Sequence, residues 1–103
     1  MNIENEDRLG TVKISDDIIS ICALDSARSV AGFHGFVRKG IKITQSEEGL
    51  LIDLFITVQY GVKIPEIAWN LQEKVKKDIE GSLEQIVKKI NIHVQGVHFA
   101  EED

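Results

Sequence analysis

Only one cysteine, Cys22, occurs in the 103 residues, so the chain cannot close a disulfide on itself. It lies in an apolar run, where a free thiol acts as a small buried hydrophobe, and a reducing cytoplasmic compartment fits best. A single proline, Pro65, excludes proline-rich linkers, and no internal repeat or low-complexity segment is present. No apolar run approaches the ~20 residues that a spanning helix needs, so direct membrane insertion is not expected. The first residues lack both a basic and an apolar leader region, so no signal peptide is expected. Aromatics make up 6% of the chain, and its one tryptophan is Trp69.

A large charge of one sign is also missing where it matters. The formal net charge is −5, yet six of the 17 acidic side chains crowd the first seven and last three residues. Between them, Arg8 to Ala100 holds 12 basic and 11 acidic side chains. The body is near neutral and the ends are acidic, which discourages non-specific contact with nucleic acid or anionic lipid. The expected organisation is a disordered acidic tail over 1–9, a single domain over 10–100 and an acidic end over 101–103. A hydrophobic fraction of 43% is ordinary for one domain of this length.

Periodicity then orders the elements. Val12 and Ile14 alternate in a short strand, Thr11 to Ile14. Ser15 is a suitable N-cap, with Asp16 and Asp17 behind it, for a helix reaching Val30. Its core stripe is Ile19, Cys22, Ala23, Ser26, Ala27 and Val30, and Gly32 and Gly35 end it. A strand over Ile41 to Gln45, a hairpin loop over Ser46 to Gly49 and a strand over Leu50 to Tyr60 follow. Leu50, Ile52, Leu54, Ile56, Val58 and Tyr60 share one face of that last strand. Its other face is mixed, so the sheet is covered on one side. Pro65 opens a second helix with the stripe Ile64, Ile67, Ala68, Leu71, Val75 and Ile79, stopping near Gly81. The final strand, Ile86 to Phe99, changes phase at Gly96, as a bulge there would cause. The predicted fold is α+β: a two-layer sandwich in β-α-β-β-α-β order, a mixed sheet with two helices on one face. Its open polar face should carry Asp53, Thr57, Asn91, His93 and Gln95.

No catalytic constellation accompanies this pattern. The serines sit at a cap, in a helix and in a turn, and the paired carboxylates read as helix start, loop and tail. His93 and His98, five apart, face opposite sides unless the bulge realigns them, and with His34 and Cys22 they match no metal spacing. No cofactor, metal site or enzymatic activity is expected. Trp69 falls about 160° from the helix core stripe, on a side shared with Gln72 and Lys76, and a side chain of this kind can anchor a partner. Ile21 and Leu24 form a second stripe on the first helix, able to meet the second helix or another subunit. Gly32-Phe33-His34-Gly35 matches the G-x-x-G of KH modules, with Arg38, Lys39 and Lys42 close behind. In that alternative, Gly32, His34, Gly35, Arg38 and Lys39 would contact nucleic acid. The competing reading is a helix stop and turn, and without a basic stripe nucleic acid is not the favoured partner.

Three blocks carry a wider likeness. They are Gly10 to Ser15 with Cys22-Ala23, Ser26-Ala27 and Gly32 to Gly35; then Val58-Gln59-Tyr60-Gly61 with Ile64 to Ala68; then Ile90 to Phe99. Together they resemble the alkaline shock protein family, bacterial envelope stress response proteins found mainly in Gram-positive organisms. The segment Gly35 to Gly40 is shorter than in many members. The resemblance implies an abundant cytoplasmic protein without known catalysis or agreed active-site residues. Some members assemble near the membrane through an anchoring partner and others are linked to lipid-synthesis regulation or cell-wall homeostasis, so the resemblance makes a membrane-anchored protein a candidate partner. The expected function is a self-associating, non-enzymatic scaffold in envelope stress response or homeostasis.

Overall fold

Ser15 begins the first helix as expected. In the computed structural model, which describes residues 13–100, its side chain accepts a hydrogen bond from the Ile18 N–H at 3.3 Å. Helix α1 (Asp16–Arg28) buries Ile19, Ala23, Ser26 and Ala27 at three- and four-residue spacing. It stops two residues short of Val30. Ser29 turns its hydroxyl back onto the Ser26 carbonyl at 2.8 Å, and Gly32 takes a φ of 91°. A side chain at Gly32 would also meet Val62, so glycine is needed for conformation and for space. Of the strand expected at Thr11 to Ile14, the first two residues lie outside the described residues. Lys13 and Ile14 are not in a strand, and Ile14 packs against the core.

Strand β1 (Phe33–Ser46) starts eight residues earlier than its alternation suggests. Between Phe36 and Ile41 its register against the next strand shifts, and four residues, Val37 to Gly40, face Phe55 alone. This wide bulge puts Phe33 and Phe36 on the same side as Ile41 and Ile43, against the core. Lys39 adopts a φ of 54° inside it. Gly40 has no room for a Cβ, which would lie 2.6 Å from the carbonyls of Phe55 and Val37.

Strand β2 (Gly49–Gln59) is central and alternates strictly: Leu50, Ile52, Leu54, Ile56 and Val58 are buried. Tyr60, expected on that face, lies beyond the strand end. It is 68% exposed and packs against Phe99 with the rings tilted by 30° and their centroids 4.5 Å apart. Helix α2 (Ile64–Leu83) buries Ile67, Leu71, Val75 and Ile79, a four-residue stripe. Ile64, in the first turn, is outside that stripe and 42% exposed. The helix also runs past Gly81, and Glu84 takes the left-handed position (φ 55°) that ends it.

Strand β3 (Val87–His98) pairs in parallel with β2, while β1 pairs with β2 antiparallel. The order β1-β2-β3 makes a mixed three-stranded sheet. The helices pack on each other and on one face of that sheet, α1 over β1 and α2 over β3. Fifteen buried apolar residues fill the layer between them. The fold is the α+β two-layer architecture read from the sequence, with α-β-β-α-β as its described order.

Candidate functional site

The sheet face away from the helices gathers the polar and aromatic groups. Asp53 of β2 stands beside Asn91 and near His93 of β3 because the two strands pair residue for residue there. Its Oδ1 accepts from Asn91 Nδ2 at 3.1 Å and lies 2.9 Å from His93 Nε2. The His93 hydrogen bond, with help from Asn91 and the Lys42 charge, holds the Asp53 carboxyl below its ordinary range against the opposing cost of burial. The His93 ring stacks on Phe55 at 4.2 Å.

A second histidine group lies further along the same face. Ile56 pairs with Val94 but Thr57 pairs with Gly96, so Gln95 is the extra residue of a bulge. This shift brings His98 onto the face that holds His93. His34 reaches across from β1, lies 2.8 Å from Thr57 Oγ1 through its Nδ1, and stacks on His98 with centroids 3.9 Å apart. The two histidine groups are separate, since Thr57 bonds His34 and Asp53 bonds His93. Among the described residues, no group of three or more His, Cys, Asp or Glu side chains converges on a metal position. His34 and His98 escape sequence reading as members of one cluster because two bulges place them; only the phase change at Gly96 signals it.

The outer stripe of α2 does something the helical wheel does not show. Gln72 Nε2 donates to the Ile90 carbonyl at 3.0 Å, and Lys76 Nζ donates to the Val87 carbonyl at 3.2 Å. Glu80 accepts from the Val87 N–H at 2.9 Å and pairs with Lys76 at 2.8 Å. Those bonds keep the Glu80 carboxyl below its ordinary range. Residues 72, 76 and 80 therefore clamp the start of the β3 edge. Trp69, one turn earlier on that stripe, is 60% exposed.

On α1, Ile21 is 62% exposed. Together with Ile18, Cys22, Leu24 and Leu83 it lines a shallow apolar groove flanked by Asp25 and Arg28. Burial and the nearby Asp78 push the Cys22 thiol up, away from thiolate chemistry. The two helices are joined by Ser26, which donates to Asp78 at 2.6 Å and is the one buried polar residue among those described. The Gly32 to Gly35 motif spans a helix-to-strand junction: Gly35 pairs with Thr57, and Arg38 and Lys39 sit in the β1 bulge. A KH clamp joins two helices, so this loop has a different setting.

Comparison with known proteins agrees with this architecture. The model of the alkaline shock protein 23 family, described as having a cell envelope-related function, matches residues 36–99. The protein YloU of Bacillus subtilis is 32% identical, covering 94% of this chain and 96% of its own length. Spy1614 of Streptococcus pyogenes is 26% identical over the full length of both. Among solved structures, the MamM CTD shares the fold, with a TM-score of 0.58 at 13% identity over 80% of this chain and 99% of that one. Because the family model spans more than half of the chain, and YloU matches almost all of it, this protein belongs to the alkaline shock protein 23 family, whose function is cell envelope-related.

Proposed function

We propose that this chain is a non-enzymatic interaction module that self-associates and serves as a scaffold in envelope stress response or homeostasis. One observation carries the reading: Trp69 stands 60% exposed on the outer stripe of α2, beside an edge strand whose start that same stripe clamps. A tryptophan presents more contact area than a solvated helix face needs, and such side chains dominate interface energetics. The family supplies the envelope context. No described helix is long and apolar enough to cross a membrane, so a membrane-anchored protein partner would hold the module near the envelope from the cytoplasmic side.

Sedimentation velocity over a wide concentration range tests the first part. Self-association gives a sedimentation coefficient that rises with concentration; a constant monomer value at high concentration refutes it. Retrieval of a membrane-anchored protein from the native cell by a tagged chain tests the second part.

A further inference from the structure

The two edges of the sheet are guarded unequally. At β1 the wide bulge and the charges of Arg38, Lys39 and Lys42 blunt the edge. At β3 the α2 side chains take the outward backbone groups of Val87 and Ile90 and go no further. The pairing of Ile52, Leu54 and Ile56 with Ile90, Ile92 and Val94 turns the backbone groups of those three β3 residues away from β2. After the bulge, the Tyr60 N–H bonds the His98 carbonyl, so Val97 is the next residue facing outward. Among the described residues, no side chain or other segment bonds the backbone of Ile92, Val94 or Val97 from that side. From Ile90 to Ala100 the sequence has no Lys, Arg, Asp or Glu. Val97 and Phe99 are exposed there, and Trp69 is one turn beyond the last clamp.

We infer that the bare edge from Ile92 to Val97 pairs antiparallel with the same edge of a second copy, joining two three-stranded sheets into one of six strands. This rests on the self-association reading and gives it a place. A two-fold contact must be self-complementary, and this edge selects a second copy as its occupant because its outward positions are all apolar and match one another in antiparallel order. Backbone alternation sets Val94 of one copy opposite Val97 of the other, and Ile92 opposite Phe99. Since Ile90 to Ala100 carries no charged side chain, no like charges meet across the pairing. Trp69 of each copy flanks the strand that the other contributes.

The test uses the full chain at neutral pH. Val97→Pro removes an N–H that points away from β2, a change an edge strand tolerates. Val97→Thr keeps that N–H. The expected result is association weakened about tenfold by Val97→Pro and retained by Val97→Thr, with unchanged circular dichroism in both. When isotopically light Val94→Cys chains are mixed with heavy Val97→Cys chains, mild oxidation should join one label to the other by a disulfide at those two positions. A strictly monomeric wild type overturns this inference together with the self-association reading. Undiminished association of folded Val97→Pro, or links only within one label, overturns the edge assignment and leaves self-association standing. If Val97→Pro does not fold, the labelled cross-links decide the matter.

Discussion

At the scale of single residues, the clearest constraint is Gly40. A Cβ there would meet two backbone carbonyls at 2.6 Å, which no side-chain rotation relieves. Gly40→Ala should destabilise the fold by about 1–3 kcal/mol, measured by urea unfolding. Ser26 and Asp78 make a second point of tension. The Ser26 hydroxyl holds the Asp78 carboxyl below its ordinary pKa of 3.8, with Lys74 adding to the effect. A carboxyl lowered in the fold stabilises above that value, and the contribution is lost as pH falls through the folded-state pKa. The thermal midpoint of the wild type should therefore fall more steeply between about pH 5 and about pH 3 than that of Asp78→Asn. Equal slopes would show that the Ser26 contact leaves the titration of Asp78 unchanged. Asp53, lowered by His93, adds to the wild-type slope with the same sign.

At the scale of elements, β2 supports the whole assembly. It lies between both other strands, and five of its side chains are buried. Ile56→Ala should cost about 2–5 kcal/mol, against much less for Thr57→Ala on the open face, in the same unfolding measurement. Both helix stripes and the β2 alternation were legible because each repeats at one period over ten or more residues. The start of β1 was not. Phe33, Phe36 and Ile41 are spaced three and five apart, and only a bulge can bring such spacing to one face. The end of α2 was hidden for a related reason: Gly81 has the usual stop residue, but Glu84 adopts the left-handed turn. The bulge near Gly96 was visible as a phase change, because Val97 and Phe99 become the apolar members.

At the scale of the whole molecule, the working surface depends on neighbours that a helical wheel cannot see. Gln72 and Lys76 share the Trp69 side on a helical wheel and are candidate partner contacts with it, yet both donate to the chain's own β3 edge. Trp69, on the same stripe, is the member whose exposure sequence leaves open. If it anchors an interface, Trp69→Ala should weaken self-association by at least ~1–2 kcal/mol without lowering the melting temperature of the monomer. Unchanged sedimentation of a folded variant would remove it from the surface. The parallel union of β2 and β3 has a kinetic corollary. The β1–β2 turn closes over Glu47 and Glu48, whereas Leu50 meets Val87 only after all of α2 has intervened. Closing that long loop delays its reward, so β3 is expected to dock last and to detach first. The amides of β3 should accordingly exchange with solvent as one unit, sooner than those shared by β1 and β2, and any partner that pairs with β3 would slow that exchange.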